Sequence, residues 1–272
     1  MHGEMTYDFL GSAYLKTSSE ELNYALFSIQ KQTLEPNKVV LVFDGPVNES
    51  LFEIVDKYRI YLKIDLLKLD NNFGLGIALR EGLKLCESKY VLRFDTDDYN
   101  LPLRAEKQIS FMNKGDYDIS GSYVIEFFDT LDNVISTKKV PTSQRKIKNM
   151  LPFRNPFNHP SICFKLESIL KLDCGYRHFP FYEDYDLWIR AMHSGLKCSN
   201  LNENLVAMKS NQIICRRSGL NMVFNETRLF KTFWKYSFKD FILFFPSFFL
   251  RTLIRLLPTR FLVAFYKQFL RS

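Results

Sequence analysis

Apolar runs and amphipathic segments alternate through the first hundred residues. The runs that predict strands are residues 9–14, 38–43, 64–69 and 90–94. The segments that predict helices are residues 18–30, 51–58 and 75–86. In this pattern the strands follow one another through crossover helices. The sequence therefore predicts an α/β fold with a mainly parallel sheet flanked by helices.

The pattern becomes mixed beyond Pro102. We predict helices over residues 104–112 and 183–194, and strands over residues 119–128, 134–140 and 161–165. The helix over residues 183–194 has acidic residues in its first turn and Gly195 after its end, as the helix dipole and C-terminal capping favour.

Carboxylates end two of the predicted strands. Asp44 closes one, and residues 95–98 (DTDD) close another. Asp95 and Asp97 lie two positions apart and can point to the same side, where they could share one cation. Their hard oxygens suit Mg²⁺ or Mn²⁺ held together with substrate phosphates. The competing interpretation of the cluster is an acidic turn that closes the strand. Asp98 has no assigned ligand and is expected to order the loop.

A glycine pair offers a different interpretation of the same edge. Gly74 and Gly76 lie between a strand and a helix, and Asp95 follows about twenty residues later, as in a dinucleotide-binding fingerprint. Leu79 stands where that fingerprint needs a third small residue. A dinucleotide site is therefore a minor alternative.

Two further segments carry candidate chemistry. Asp184 lies in residues 181–188 (FYEDYDLW) at a predicted helix start, where it could remove a proton from a substrate hydroxyl or serve as a cap. His159 lies in a polar loop, residues 153–161 (FRNPFNHPS), where it could bind a ligand or a neighbouring backbone group.

Charge is unevenly distributed along the 272 residues. The net charge is +7, yet nine of the 37 Lys and Arg and one of the 30 Asp and Glu lie in residues 227–272, which are also rich in Phe. A basic, aromatic tail fits an anionic membrane surface better than nucleic acid, so we expect no nucleic-acid partner. Its longest uncharged run, residues 241–250, is too short to span a bilayer. Packing of the tail on the preceding domain is the alternative.

The five cysteines are widely spaced and include no C-x-x-C pair. They are expected to be small buried residues in a reducing compartment. No signal peptide is recognisable at the N-terminus, so we expect a cytoplasmic location at the inner face of the cell membrane. The predicted domains are a catalytic domain over residues 1–220 and a helical tail over residues 221–272.

Five motifs, in order, resemble those of the family 2 glycosyltransferases, particularly bacterial enzymes that build O-antigen and exopolysaccharide. They are LVFDGP at 41–46, NFGLG at 72–76, DTDD with PLR at 95–104, NPFNHP at 155–160 and EDYDLW at 183–188. The resemblance covers about residues 8–215. It implies a GT-A type nucleotide-binding sheet, to which the tail would add C-terminal amphipathic helices because its basic and aromatic residues recur at helical spacing.

The resemblance also implies roles for single residues. Asp44 would accept a hydrogen bond from the nucleobase, normally uracil. Asp95 would reach the ribose and the metal, and Asp97 would coordinate the Mn²⁺ or Mg²⁺ that bridges the diphosphate. Asp184 would be the general base of an inverting displacement at the anomeric carbon.

Other residues of the same motifs are expected to contact substrate. They are Asn72, Gly74, Arg104, His159 and Glu183. Arg104, Arg216 and Arg217 are candidate cations for a phosphate or for stabilising the fold. The Q-x-x-R-W signature of processive synthases is absent, so one sugar is expected per acceptor.

The implied enzyme is a hexosyltransferase. Its donor would be a UDP-sugar, with UDP-galactose the first to test, and its acceptor an undecaprenyl-diphosphate-linked saccharide. Two rivals remain open at this stage. A nucleotidyltransferase would need a glycine- and lysine-rich phosphate loop, which residues 11–14 (GSAY) match poorly. A non-catalytic membrane scaffold would leave Asp44, the 95–98 cluster and Asp184 unexplained.

Overall fold

A nine-stranded sheet forms the centre of the protein, described here from a computed structural model that covers residues 6–173, 175–210 and 220–255. The strands form one continuous sheet in the order β3-β2-β1-β4-β8-β6-β9-β5, and β7 pairs with β6. The strands are β1 Tyr7–Ala13, β2 Lys38–Asp44, β3 Ile64–Leu69, β4 Tyr90–Arg93, β5 Tyr99–Asn100, β6 Ile119–Phe127, β7 Val134–Lys138, β8 Cys163–Lys165 and β9 Cys198–Lys209.

Helices cover both faces of the sheet. They are α1 Ser19–Gln30, α2 Glu49–Tyr58, α3 Leu75–Leu83, α4 Arg104–Gly115, α5 Gln144–Met150, α6 Leu166–Leu170, α7 Glu183–His193, α8 Leu220–Tyr236 and α9 Phe238–Arg255. Successive residues of a strand point to opposite faces, so Phe9 packs with α1, α2 and α4, while Leu10 packs with α3 and α7. The predicted α/β fold is confirmed.

The first four strands of the chain form the parallel part of the sheet. β3, β2, β1 and β4 are parallel neighbours, joined by α1, α2 and α3. Their carboxyl ends therefore meet at one edge, which carries Asp44 and the residues after Arg93. This is the edge where ligands bind in open α/β sheets.

The second part of the sheet is mixed. β8 is antiparallel to both β4 and β6, and β6 is antiparallel to β7 and parallel to β9. The predicted pair over residues 119–128 and 134–140 is thus confirmed as β6 and β7. The strand predicted from residue 161 begins only at Cys163, because residues His159–Ser161 form a 3-10 turn. The strands β5 and β9 and the helices α5 and α6 were not predicted from the sequence.

The C-terminal helices α8 and α9 pack on α7 and on each other. Leu229, Phe233 and Phe244 are fully buried, and the aromatic rings of Tyr185 and Phe233 meet edge to face. The C-terminal helices therefore pack on the preceding domain, as the alternative for the tail expects. Within the described part of the chain, no helix combines the length and apolar character needed to cross a bilayer.

Three of the cysteines lie in the described residues, and all three are buried thiols: Cys86, Cys163 and Cys198. Their predicted burial is confirmed. Cys174, Cys215, Arg216 and Arg217 lie outside the described residues.

Candidate active site

Asp44, the last residue of β2, connects the end of this strand to the loop after β3 through hydrogen bonds. Its carboxylate accepts hydrogen bonds from the backbone N–H of Phe73, at 2.7 Å, and of Gly74, at 2.9 Å. The Asn72 side-chain amide donates to the Asp44 carbonyl at 3.2 Å. Gly74 has a φ of 88°, a left-handed conformation that favours glycine. The structure thus brings three predicted substrate residues, Asp44, Asn72 and Gly74, into one unit.

The acidic cluster after β4 is held from two sides. Asp95 forms an ion pair with Arg93. Asp98 is buried and accepts a hydrogen bond from the backbone N–H of Lys209 at 3.0 Å, which ties the loop to the end of β9. Burial, and the negative charge of Asp95, raise the pKa of Asp97 to about 6. Negative charge is therefore concentrated at this point.

This donor set fits a divalent cation that also binds substrate. Among the described residues there is no group of three or more His, Cys, Asp or Glu side chains that could hold a metal by itself. Mg²⁺ and Mn²⁺ bound with phosphates commonly take only one or two protein carboxylates, with phosphate oxygens and waters completing the shell. Asp95 and Asp97 would be those carboxylates, and the cation would offset the repulsion that raises the pKa of Asp97.

Arg93 is a residue of this site that the sequence reading missed. It is 1% exposed, and its Nε and Nη1 atoms have no hydrogen-bond partner within the described residues. Burial works against its charge, but Asp95 more than offsets that effect and raises the pKa of the guanidinium. The available signal was a charged residue inside an otherwise apolar strand, which requires a partner when buried.

Arg104 lies in the core and away from solvent. Its guanidinium donates to the carbonyl oxygens of Arg93, at 2.9 Å, and Ile162, at 3.1 Å, and also bonds the Asn100 side chain. Arg104 is fully buried, which favours the fold-stabilising alternative, and its contact with substrate stays a prediction. The structure gives it the fold-stabilising role, joining α4 to β4 and to the segment before β8.

Asp184 lies in the first turn of α7 and is oriented by a neighbour on another segment. The side-chain amide of Asn155 donates to Asp184 Oδ2 at 2.6 Å, and the backbone N–H of Tyr185 donates to Oδ1 at 2.7 Å. Both bonds stabilise the ionised carboxylate that a general base needs. Asn155 was part of a recognised motif, but its pairing with Asp184 required the structure.

Glu183 connects the acidic residues of α7 to the rest of the site. Burial, and then the charge of Asp184, raise its pKa to about 7, with a smaller contribution from Asp95. A Cβ atom placed on Gly76 would lie 3.1 Å from Glu183 Cβ and 2.2 Å from the Arg177 carbonyl oxygen. The helix after the Asn72–Gly74 loop therefore packs directly against the start of α7.

His159 lies under the site as a neutral group. Its Nε2 is 3.1 Å from the Tyr176 hydroxyl, and its ring meets Trp188 edge to face. Burial and the nearby charge of Arg93 lower the pKa of His159 well below its usual value. This environment favours a hydrogen-bonding role for His159, and contact with substrate stays a prediction.

Known proteins share both the sequence and the fold. Residues 13–172 match the family described as Glycosyl transferase family 2. The UDP-Gal:alpha-D-GlcNAc-diphosphoundecaprenol beta-1,3-galactosyltransferase of Escherichia coli is 37% identical over 97% of this chain and 96% of its own. The amylovoran biosynthesis glycosyltransferase AmsE of Erwinia amylovora is 34% identical over 96% of this chain and 98% of its own.

A solved structure with the same fold is that of Staphylococcus aureus TarS residues 1–349 in complex with UDP-GlcNAc. It has a TM-score of 0.68 and 17% identity, over 92% of this chain and 72% of that one. The predicted GT-A type fold is thereby confirmed, and the family match removes the nucleotidyltransferase and dinucleotide-binding alternatives. The chain belongs to the family 2 glycosyltransferases.

Proposed function

We propose that this glycosyltransferase adds a single sugar, with inversion, from a nucleotide-sugar to a lipid-linked saccharide in the synthesis of O-antigen, capsule or exopolysaccharide. UDP-galactose is the first donor to test, and an undecaprenyl-diphosphate-linked saccharide the first acceptor. The support comes from the Escherichia coli galactosyltransferase named above, which is similar to this chain along almost its whole length.

The observation that carries the proposal is the assembly of the Asp95 and Asp184 carboxylates around Glu183. Asp95 and Asp184 both raise the pKa of Glu183. The Asp44 loop adjoins them through Gly76, which packs on Glu183. The residues proposed to bind the nucleobase, the diphosphate and the acceptor hydroxyl are therefore neighbours, which supports the proposal.

In the proposed reaction, Asp184 accepts the proton of the acceptor hydroxyl while that oxygen attacks the anomeric carbon of the donor sugar. The new glycosidic bond forms as the bond from that carbon to the diphosphate oxygen breaks, so the configuration inverts. The nucleoside diphosphate leaves with both bonding electrons. The hydrogen bond from Asn155 keeps the Asp184 carboxylate in the orientation in which it can accept this proton.

When bound at Asp95 and Asp97, Mn²⁺ or Mg²⁺ would act as a Lewis acid that stabilises the negative charge of the leaving diphosphate. Asp97→Ala should therefore lose transfer and also lose the thermal stabilisation that Mn²⁺ with UDP gives the unaltered protein. Retention of both in Asp97→Ala would remove the metal role.

A panel of nucleotide-sugars tests the donor class. Each sugar is mixed with the protein and Mn²⁺, and donor hydrolysis and the shift in unfolding temperature are measured. We expect UDP-sugars to give both signals, with UDP-galactose among them. Signals from GDP-sugars alone, or from none of the panel, would contradict the donor proposal.

We also propose that α9 lies on the cytoplasmic surface of the membrane. Five of its large apolar side chains recur at helical spacing and are each more than half exposed: Phe238, Ile242, Phe245, Phe249 and Leu253. The exposed lysines 231, 235 and 239 supply positive charge for anionic headgroups.

Co-sedimentation with vesicles tests this surface. The protein should bind vesicles that contain phosphatidylglycerol, more weakly at high salt, and Phe245→Glu with Phe249→Glu should abolish binding. Ile60→Glu with Tyr61→Glu, an equally exposed apolar pair elsewhere, is the matched control. If the control variant also loses vesicle binding, or if both variants keep it, the proposal that α9 contacts the membrane is contradicted.

A further inference from the structure

Phe181 has a backbone conformation that its side chain disfavours. Its φ is 67°, in the left-handed region. The other described non-glycine residues with positive φ are aspartates, which tolerate that region. A bulky residue kept there is strained, and such strain concentrates at active sites and ligand-binding positions.

The neighbours of Phe181 impose this conformation and hold its ring outwards. Phe179 and Tyr182 are buried, and their rings meet edge to face with centroids 6.4 Å apart. The backbone N–H of Tyr182 donates to the Phe179 carbonyl at 2.9 Å, which closes a tight turn around Phe181. Phe181 itself is 60% exposed. An aromatic ring is thus kept in water at a cost to the fold.

Phe181 lies next to the proposed general base. It precedes Asp184 by three residues, so their Cα atoms are at most about 11 Å apart, since successive Cα atoms are about 3.8 Å apart. A second exposed ring, Phe153, precedes Asn155 by two residues, and Asn155 bonds Asp184. Each of the two segments that form the Asp184–Asn155 pair therefore presents an exposed phenylalanine.

A sugar ring is the occupant that fits this arrangement. The hydroxyl that Asp184 deprotonates must lie within hydrogen-bond reach, so the ring that bears it lies among the residues flanking Asp184. One face of a pyranose carries mainly C–H groups, which pack on an aromatic ring, while the hydroxyls at its rim remain free for polar groups.

We propose that Phe181 is the platform on which the acceptor sugar stacks during transfer. The proposal rests on the function proposed above and adds a residue that determines acceptor affinity. The proposal explains why the strained backbone of Phe181 is retained: the left-handed conformation directs the ring to a position that an unstrained conformation would not reach.

Glycine is the decisive substitution, because it removes the ring and relieves the backbone strain together. In Phe181→Gly we expect an unfolding temperature equal to or above that of the unaltered protein, and a KM for acceptor raised at least about tenfold, which corresponds to about 1.4 kcal/mol. Phe181→Trp should keep the KM within about threefold, since it keeps a stacking face. The probe acceptor is N-acetylglucosamine joined through diphosphate to a short alkyl chain, and donor affinity is measured by calorimetry with UDP and Mn²⁺.

Tyr61→Ala is the control, because Tyr61 is 59% exposed and lies in the turn before β3, at the opposite end of the parallel strands. It should leave the acceptor KM unchanged. An unaltered acceptor KM in Phe181→Gly would overturn the platform while leaving the proposed function standing. A large fall in its unfolding temperature would also overturn it, since the ring would then be structural. Absence of transfer by the unaltered protein with every donor would remove the function and the platform together.

Discussion

At the scale of single residues, the site is organised by carboxyl groups that are enclosed by protein and close to one another. Glu183 shows the consequence most clearly, because burial and Asp184 together raise its pKa to about 7. In the unfolded chain a glutamate has a pKa of about 4.3. The folded protein therefore binds this proton more tightly than the unfolded chain does, and folding is favoured at low pH.

Glu183→Gln should remove that dependence on pH. Between about pH 5 and pH 8, the unaltered protein should lose on the order of 2 kcal/mol of unfolding free energy relative to Glu183→Gln, which keeps a neutral side chain throughout. Titrating groups distant from Glu183 contribute equally to both proteins and cancel in the comparison. Urea unfolding at several pH values measures the difference, and parallel curves for the two proteins would contradict the account of Glu183.

Arg93 is the only residue of the described part of the chain that forms an ion pair with Asp95, and its removal should be costly. Arg93→Met should lower the unfolding free energy by about 3 kcal/mol, because breaking a buried pair leaves a charge uncompensated. Arg59→Met, which breaks an exposed pair with Asp56, should cost less than about 1 kcal/mol. Equal losses in the two variants, by urea unfolding, would show that Arg93 is not a buried counter-charge.

The roles of some residues in the site could be predicted from the sequence, whereas those of others could not. Asp44, the 95–98 cluster and Asp184 stand at element ends, where type and position indicate chemistry. The role of Arg104 stayed open between a phosphate contact and a fold-stabilising one, because a cation in a helix normally lies at the surface, whereas here backbone carbonyls from two other segments accept hydrogen bonds from it in the core. Such partners are distant in the chain, so no local pattern reveals them.

At the scale of elements, the tail is joined to the helix that carries the proposed base. The Thr232 hydroxyl on α8 donates to Asp186 on α7 at 2.9 Å, and Asp186 also pairs with Arg190 at 2.8 Å. All three side chains are buried. A buried hydrogen bond from α8 therefore stabilises the first turns of α7.

Thr232→Val keeps the shape of the side chain and removes this hydrogen bond. It should lower the unfolding free energy by about 1 to 2 kcal/mol, because a buried carboxylate loses a donor. Thr227→Val on the exposed side of the same helix should change it by less than about 0.5 kcal/mol. Thermal or urea unfolding measures both free energies. If Thr232→Val is as stable as Thr227→Val, the hydrogen bond from Thr232 to Asp186 does not stabilise the protein.

Elements were predicted well where their pattern was regular. α1 begins with a complete capping box between Ser18 and Glu21, and the parallel strands read as apolar runs. β9 was missed because exposed polar residues interrupt it at 202–204, where its pairing with β6 also shifts register. Its pairing partner β6, 79 to 82 residues earlier in the chain, supplies a stabilisation that the sequence of β9 alone does not reveal.

At the scale of the whole molecule, the sheet edge and the C-terminal helices belong to one folded body. In the function proposed above, the parallel strands bind the donor, α7 binds the acceptor, and α8 with α9 adds a basic, apolar surface. The fold class followed from the alternation of strands and helices. The spatial relation of α9 to the domain could not be read from sequence, since Phe233 and Phe244 are buried while Phe245 and Phe249 are exposed, and all four look alike in the chain.

The central claim is that Asp184 acts as the base in sugar transfer, and Asp184→Asn tests it most directly. The variant keeps the size of the side chain and its place beside Asn155. With donor, Mn²⁺ and lipid-linked acceptor, we expect UDP affinity within about twofold of the unaltered protein and a transfer rate lower by a factor of about 10² to 10⁴. Transfer at the unaltered rate by Asp184→Asn would contradict the account.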